Sequence, residues 1–293
     1  NQNTVQGLAI YGFDGPGIRL EGNGNTLRCN YLGTDITQQS GKGNGNGVAV
    51  RGAGSNNRIG IVGAGNLISG NRTNGVLVAG GCSNTSLEGN FIGVKGDGAT
   101  ALPNGNGIAL EEGSHHTRVG GAGIRSPGAC DRSCNVISGN RGHGVQIGKS
   151  DSNVVVANFI GVSADGRKPV GNHLAGVWML GSRSNRVGGG LPGLGNVVGG
   201  NRDGVVIQGV ADRKPWGNTV EGHLIGTDAS ATSALPKGER TAVVFIRLTS
   251  HNRPSAVAME ASGPPGWENL MPDHPLARSA GCRAPMKAVC RPR

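Results

Sequence analysis

Short apolar runs recur along the chain, and each is bounded by Gly or Asn. Asn-Leu-Ile-Ser-Gly-Asn at 66–71 returns as Asn-Val-Ile-Ser-Gly-Asn at 135–140 and, in a looser form, at 196–201. A third kind of run, a small residue followed by three mostly apolar ones, begins at Gly17, Gly47, Gly75, Gly107, Gly144, Gly176, Gly204 and Ala242. Self-similarity at a period of roughly 30 residues indicates a stack of similar structural units.

Each unit contains three runs, and each run is short enough to be one β-strand. Strands of this length cannot bury a face alone, but stacking at about 4.8 Å joins like strands into parallel sheets. The eight runs of the third kind predict about eight coils with three short strands per coil. No helical pattern separates the strands, which excludes a doubly wound sheet. We therefore predict an all-β parallel β-helix over residues 1–253, with Ile59, Leu87, Val119 and Val187 in one inward stack.

The repeats also resemble those of a known group. The Gly-Asn-x-Ile-x-Gly-Asn runs, the Asn-Phe-Ile-Gly-Val turns such as 90–94, and the Gly-Val-x-Ile runs are similar to those of bacterial right-handed parallel β-helix repeat proteins. These form the pectin-lyase-like superfamily, which includes pectate lyases, polygalacturonases and alginate epimerases. The resemblance covers residues 5–253 and implies the fold and a carbohydrate-active role. Its matching residues are turn and core residues, so it implies no particular activity.

Composition and charge narrow the range of partners. The chain has 56 Gly without the every-third-residue period of collagen, and its formal net charge is +10. A basic surface favours anionic partners, above all anionic polysaccharides. Nucleic acid is less favoured, because aromatic residues make up only 3% of the chain and stacking platforms need them. No apolar run approaches the ~20 residues of a membrane span, and we expect a monomer.

The first strand of each unit presents charged residues outward. If the stack described above points inward, its neighbours Arg28, Arg58, Glu88, Arg118, Arg186 and Glu221 point outward. Arg58, Arg118 and Arg186 recur on every second coil, about 10 Å apart, and are predicted to bind substrate. The alternative is a solvated face on which alternating charge relieves repulsion between coils.

One corner departs from its own repeat. The turn from third to first strand reads Arg-Gly-Ala-Gly-Ser-Asn at 51–56, but Glu-Glu-Gly-Ser-His-His at 111–116, with Lys149 one coil further. His116 thus takes the place of a turn Asn that we expect to stack as a ladder from coil to coil. His titrates near neutral pH, and Glu and basic neighbours could hold a substrate carboxylate. The predicted catalytic residues are therefore Glu111, His115 and His116, together with Glu88 on the first strand. Lys149 joins the arginines as a predicted substrate contact. The alternative is a plain polar surface turn.

Cofactor chemistry is sparse. Asp35, Asp97, Asp165 and Asp228 lie in long turns, where Asp favours turn geometry, although a calcium site between stacked turns stays open. No other metal or cofactor is predicted. Cys130 and Cys134 are expected to form a local disulfide, because a second ligand pair at zinc-type spacing is missing. Cys29 and Cys82 occupy solenoid positions and are expected to be buried thiols.

The repeat stops near Arg253, and residues 254–293 form a separate segment. It is interpreted as a C-terminal cap, a flexible tail held by Cys282 and Cys290, or the product of a reading-frame slip. Asn1 is not an initiating Met, and removal of a leader fits the expectation of a secreted or cell-surface protein. Two function classes follow. One is an extracellular polysaccharide lyase, glycoside hydrolase or epimerase acting on a polymer along the β-helix face. The other is a non-catalytic glycan-binding or structural repeat protein.

Overall fold

The computed structural model describes residues 1–39, 42–121, 132–191, 193–235, 241–246 and 253–254. Almost all of the predicted C-terminal segment, 254–293, lies outside these residues. Within the described ranges there is no helix able to cross a membrane. The chain runs repeatedly through three parallel sheets, which we name A, B and C in the order visited. Sheet A has nine described strands and sheets B and C have eight each. The predicted right-handed parallel β-helix of about eight coils is confirmed.

The strand bounds follow the three sheets. Sheet A contains Thr4–Gln6, Thr26–Arg28, Arg58–Ile59, Ser86–Leu87, Arg118–Val119, Val154–Val155, Arg186–Gly188, Thr219–Glu221 and Arg253–Pro254. Sheet B contains Ala9–Ile10, Tyr31–Leu32, Leu67–Ile68, Phe91–Ile92, Val136–Ile137, Phe159–Ile160, Val197–Val198 and Leu224–Ile225. Sheet C contains Ile18–Leu20, Val48–Val50, Asn74–Val78, Asn106–Leu110, Val145–Gly148, Ala175–Leu180, Asp203–Gln208 and Thr241–Ile246.

The hydrophobic core consists of stacks of inward-pointing side chains, with one or two stacks from each sheet. The backbone register pairs Ile59 with Leu87 and Leu87 with Val119, and all three side chains are fully buried. Val155 then pairs with both Val119 and Val187, which confirms the predicted stack and adds a member that the sequence pattern did not indicate. Burying a Val, Leu or Ile side chain contributes about 1.5–3 kcal/mol, so continuous stacks offset the ordering of very short strands.

Stacks of hydrogen-bonded asparagines, which we call ladders, run along all three corners of the coil. Each corner is named by the two sheets that it joins, in chain order: A–B, B–C and C–A. In each ladder an Asn Oδ1 accepts both the backbone N–H and the Nδ2–H of the Asn one coil earlier. For Asn66 these distances are 3.1 and 2.9 Å to Asn30, and its own Nδ2 donates to the carbonyl of Leu27 at 2.9 Å. The A–B ladder contains Asn30, Asn66, Asn90, Asn135, Asn158 and Asn196, and the B–C ladder contains Asn44, Asn71, Asn104, Asn140, Asn172 and Asn201. These bonds satisfy polar backbone groups that the tight turns bury.

The C–A ladder is interrupted. It runs through Asn25 and Asn57, resumes at Asn153 and continues through Asn185, but Thr85 and Thr117 occupy the two positions between. Both threonine hydroxyls are buried without a hydrogen-bond partner. The interruption falls on the coils that precede and contain the unusual corner at 111–116.

Long and short turns alternate, which explains the two kinds of coil seen in the sequence. The B–C turn is long after Leu32, Ile92, Ile160 and Ile225, whereas the A–B turn is long after Ile59, Val119 and Gly188. Each long turn therefore has the height of two coils, about 9.6 Å, available to it. The long B–C turns fold across the outer face of sheet B. There Val162 and Leu235 pack against the fully buried Phe159.

The cysteines follow the prediction only in part. Cys82 is a free, buried thiol, but Cys29 is free and exposed, so its predicted burial is wrong. Cys29 occupies the left-handed position of an A–B turn (φ 55°), and its side chain points away from the core. Cys134 is disulfide-bonded. Its expected partner Cys130 lies outside the described residues.

Candidate functional site

The residues predicted for the site lie on three parts of the solenoid surface. Glu111 follows the sheet C strand Asn106–Leu110, His115, His116 and Lys149 lie in the C–A corner, and Arg58, Glu88, Arg118 and Arg186 lie on or beside strands of sheet A. Glu88 and Glu111 therefore belong to different faces, and each part of the surface has its own geometry.

The outer face of sheet C brings together residues that the sequence does not group. The register pairs Ala109 with Gln146 and Gln146 with Trp178, so these residues succeed one another on adjacent coils about 4.8 Å apart. Gln146 Nε2 donates a hydrogen bond to Glu111 Oε1 at 2.6 Å. Gln146 Oε1 accepts from Asn106 Nδ2 at 3.3 Å, which fixes the amide orientation. The carboxylate of Glu111 is thus held on this face by a neighbouring coil.

Beside Gln146 lies an aromatic stack. The rings of His143 and Trp178 are 4.6 Å apart between centroids and inclined by 14°. Trp178 Nε1 donates to Gln208 Oε1 at 3.2 Å, and His143 Nδ1 accepts the backbone N–H of Ala175 at 3.2 Å. Burial lowers the pKa of His143 to about 4, so the imidazole is neutral at physiological pH. The two rings form a rigid, uncharged platform on the same outward row as Ala109 and Gln146.

The electrostatics of this face centre on Glu111. Burial raises the pKa of the Glu111 carboxyl, and repulsion from Glu112 adds to the rise, while Arg51 and the hydrogen bond from Gln146 oppose it. Arg51 is two coils away in the same row, with the small residue Ala79 on the coil between them, and it reaches Glu112 at 3.4 Å. Glu111 is therefore half-buried and close to one positive charge, and its pKa is raised.

The 111–116 corner contains two left-handed residues. Glu112 and His116 both have φ 53°, and His116 takes the turn position that Asn84 occupies one coil earlier with φ 52°. The expectation that His116 replaces a ladder Asn is wrong by one residue: Thr117 occupies the ladder position. His115 Nδ1 lies 3.1 Å from the Gly113 carbonyl, and the two imidazole rings meet edge to face at 5.1 Å. No hydrogen bond between described residues joins either histidine to Glu111.

A turn further along the chain closes the corner on one side. Arg213 pairs with the Asp151 carboxylate and donates to the Lys149 carbonyl at 2.9 Å. Lys149 Nζ lies 3.8 Å from Asp212, with both side chains largely exposed. Lys149 and Asp151 are therefore engaged with this turn, while His115 and His116 lie on the side that it does not reach.

The outer face of sheet A presents the predicted arginines in one row. Its register runs Arg58, Ser86, Arg118, Val154, Arg186 on consecutive coils. Glu88 follows Leu87 and lies in the adjacent outward row. Burial is the main cause of the lowered pKa of Arg118. The negative charge of Glu88 raises this pKa, and the positive charge of Arg186 lowers it. The register agrees with the predicted spacing of two coils between successive arginines.

Sequence reasoning missed Gln146, His143, Trp178 and Gln208. A signal was present: the middle residue of the third-strand run is Ala49, Leu77 and Ala109 on earlier coils, then changes to Gln146 and Trp178. A polar and an aromatic residue replacing small or apolar ones at an outward position would have marked this face.

The aspartates of the long turns accept hydrogen bonds from their own turns. Asp97 Oδ1 accepts the backbone N–H groups of Ala99 and Thr100 at 2.9 and 2.8 Å, and the hydrogen bond from the Thr100 hydroxyl is the main cause of its lowered pKa. Asp35 behaves in the same way with Thr37. The described residues contain no group of three or more His, Cys, Asp or Glu that could hold a metal ion.

One cavity lies away from the predicted site residues. It has a volume of about 330 Å³ and is lined by Cys29, Tyr31, Leu67 and Phe91 over the outer face of sheet B. Neither Glu111 nor the sheet A arginines border it. A polymer bound along a solenoid face needs a groove and not an enclosed cavity, so we base the candidate site on contacts and charge.

Comparison with known proteins identifies the fold. No protein-family model and no curated protein sequence matches the chain. Among solved structures, a point mutant of the periplasmic alginate epimerase AlgG matches with a TM-score of 0.50 at 14% identity, over 86% of this chain and 51% of that one. The A-module of mannuronan C-5 epimerase AlgE4 from Azotobacter vinelandii matches with a TM-score of 0.36 at 14% identity, over 87% and 79%. The chain spans about half the length of AlgG. The match to AlgG shows the fold alone, a right-handed parallel β-helix.

Proposed function

We propose that this protein is an extracellular carbohydrate-active protein that binds a polysaccharide along the outer face of sheet C. The observation that supports it best is the side-by-side placement of Glu111, Gln146 and the Trp178–His143 stack on three successive coils. Amide and carboxyl groups hydrogen-bond sugar hydroxyls, and a flat aromatic ring packs on the apolar face of a sugar ring. A polymer parallel to the solenoid axis would meet these groups in turn.

Glu111 is the proposed acid–base residue. Lyases, hydrolases and epimerases all require a proton transfer at the sugar, and a carboxyl group with a raised pKa suits that task near neutral pH. Arg51 pairs with Glu112 at 3.4 Å and lies near enough to Glu111 to oppose the rise in its pKa. His115 and His116, at the adjoining C–A corner, are the alternative acid–base residues. The fold likeness to a periplasmic alginate epimerase is consistent with an anionic polysaccharide and with a location outside the cytoplasm.

The catalytic proposal is tested with the full chain on a panel of polysaccharides. Turnover is followed by reducing ends, by unsaturated uronate absorbance and by exchange of ring protons with solvent. Glu111→Gln keeps a hydrogen-bonding partner for Gln146 and is expected to lower turnover by roughly 10²–10⁴-fold. Asp14→Asn removes an exposed carboxylate at the B–C corner and should leave turnover unchanged. If Glu111→Gln keeps full activity and the double variant His115→Asn, His116→Asn loses it, the chemistry takes place at the C–A corner and not at Glu111.

A non-catalytic glycan-binding protein is the second candidate function. The Trp178–His143 platform favours it, because a stacked, uncharged ring pair can bind sugar without any reaction. Trp178→Ala should weaken polysaccharide binding by about 1 kcal/mol, roughly fivefold in Kd. Trp216→Ala is the matched control, because Trp216 is exposed and lies away from sheet C. Binding without turnover on any polymer supports this second function, and absence of both binding and turnover would refute the carbohydrate assignment.

A further inference from the structure

A chain of hydrogen-bonded amides runs outside the core, at the start of the sheet C strands, and leads to Glu111. We call it the outer amide chain, and it consists of Asn46, Asn74, Asn106 and Gln146, all half-buried. Asn74 Nδ2 donates to Asn46 Oδ1 at 3.1 Å, and Asn106 Nδ2 donates to Asn74 Oδ1 at 3.1 Å. Asn106 Nδ2 also donates to Gln146 Oε1 at 3.3 Å, and Gln146 Nε2 donates to Glu111 Oε1. The outer amide chain therefore links three earlier coils to the carboxyl of the proposed site.

A backbone N–H fixes the direction of these hydrogen bonds. Asn106 Oδ1 accepts the backbone N–H of His143 at 2.9 Å. Because a backbone N–H can only donate, the Asn106 amide cannot turn over, and its Nδ2 faces Gln146. Gln146 then presents Oε1 to Asn106 and Nε2 to Glu111. The packing is close at this point, since a Cβ on Gly142 would lie 2.2 Å from Asn106 Oδ1. The amide orientation that meets Glu111 is therefore set by the backbone of a neighbouring coil.

The two oxygens of the Glu111 carboxyl consequently differ. Oε1 accepts Nε2–H of Gln146 at 2.6 Å, whereas no hydrogen bond or ion pair between described residues involves Oε2. Oε1 is an acceptor both when the carboxyl is ionised and when Oε2 carries the proton. A proton can thus arrive at or leave Oε2 while the hydrogen bond from Gln146 stays in place, so the transfer requires no rearrangement of the protein.

We propose that Gln146 and Asn106 are positioning residues for Glu111, which hold its Oε1 so that Oε2 exchanges the proton with the substrate. This inference rests on the proposed function, in which Glu111 is the acid–base residue. In the exchange a proton moves between a substrate atom and Oε2, the carboxylate becomes a carboxylic acid or the reverse, and no oxidation state changes. Among the described residues Asn106 makes no hydrogen bond to Glu111, so it acts through the Gln146 amide.

The first test observes Glu111 in the full chain without any substrate. Its carboxyl resonance is followed by ¹³C NMR as the pH is varied, and the loss of that resonance in Glu111→Gln assigns it. Gln146→Leu removes a hydrogen bond that lowers the pKa of Glu111, so the titration midpoint should move to higher pH. Asn106→Ala frees the Gln146 amide and should move the midpoint in the same direction, by less. The control Asn46→Ala removes the far end of the outer amide chain and should leave the midpoint unchanged.

The second test is turnover of the polysaccharide that the wild type accepts. The kcat of Asn106→Ala should fall about tenfold with KM within about twofold, because a misplaced acid–base group slows the reaction without removing a substrate contact. Glu112 and Arg51, the charged groups that act on the Glu111 carboxyl, are present in every positioning variant and in the control. Thermal unfolding of each variant checks that the fold is intact.

The two tests separate failure of this inference from failure of the proposed function. An unshifted titration in Gln146→Leu or in Asn106→Ala would overturn the role given to that residue, even in an active protein. An equal shift in Asn46→Ala would show a general loosening of the face and would also overturn it. A shifted titration in a protein that turns over no polysaccharide would overturn the proposed function, and the catalytic use of Oε2 with it.

Discussion

His223 ends the asparagine ladder at the A–B corner and makes the stability of the protein depend on pH. Its ring is buried in the place where earlier coils have Asn. Nδ1 accepts the backbone N–H of Asn196 at 3.1 Å, and Nε2 lies 3.0 Å from the Val187 carbonyl. The ring is therefore neutral with its proton on Nε2, and it reproduces the acceptor and donor of an Asn amide. His223→Asn should restore the ladder and remove the titration.

The size of the effect follows from one hydrogen bond. Protonation of Nδ1 would leave the Asn196 N–H buried without an acceptor, which costs about 1–3 kcal/mol. Burial lowers the pKa of His223, against smaller opposing effects of the Val187 and Asn196 hydrogen bonds and of Glu221. The folded protein thus binds fewer protons than the unfolded chain. The stability is fully present above the unfolded pKa of about 6.5 and is lost as the pH falls through the folded value.

Thermal unfolding between pH 7.5 and 4.5 measures this loss. At about 2–4 °C per kcal/mol for a domain of this size, the wild type should lose roughly 2–12 °C more than His223→Asn on acidification. His173→Asn replaces an exposed histidine and should follow the wild type. His143 is present in all three proteins, so its own titration cancels in the comparison. Parallel pH profiles for wild type and His223→Asn would refute the role assigned to this ring.

Three further predictions concern stability. The double variant Thr85→Asn, Thr117→Asn should complete the C–A ladder and raise the urea midpoint. Each new Asn offers an acceptor to buried donors, and each such hydrogen bond contributes about 1 kcal/mol. A lower midpoint would contradict the ladder assignment. Gly107→Ala should lower the free energy of unfolding in urea by about 1–3 kcal/mol or more, because its Cβ would lie 2.5 Å from the Gly144 carbonyl oxygen. The control Gly15→Ala, whose Cβ would have nothing within 4 Å, should change that free energy by no more than ~0.5 kcal/mol. Glu111→Gln should be at least as stable as the wild type at pH 7. The pKa of Glu111 is raised in the folded protein, so its ionisation at higher pH lowers the stability of the wild type. A marked drop in the urea midpoint of the variant would show that the carboxylate is structurally required.

The repeat pattern determined the solenoid because the same local rules apply to every coil. Close approach between coils excludes a side chain at Gly107, where a Cβ would meet the Gly144 carbonyl and Ile137. Period-two alternation was enough to place Ile59 and Leu87 inward and Arg58 outward. The inward or outward direction of a strand residue needs no knowledge of a contact that is distant in sequence, so it was accessible from the sequence. The recurrence of Gly was also visible there, but its contacts with the next coil were not.

The register at the C–A corner and the contacts on the outer face of sheet C were decided only by the tertiary structure. Turn lengths differ from coil to coil, so a residue's neighbour on the next coil cannot be counted off along the chain. Glu111 meets Gln146 across 35 positions, and the ladder position at the 111–116 corner proved to be Thr117 and not His116. The sequence by itself determined the fold and the outward direction of the charges. Strand pairing alone decided which charges share a face, because hydrogen bonds between coils, and not spacing within them, set the alignment.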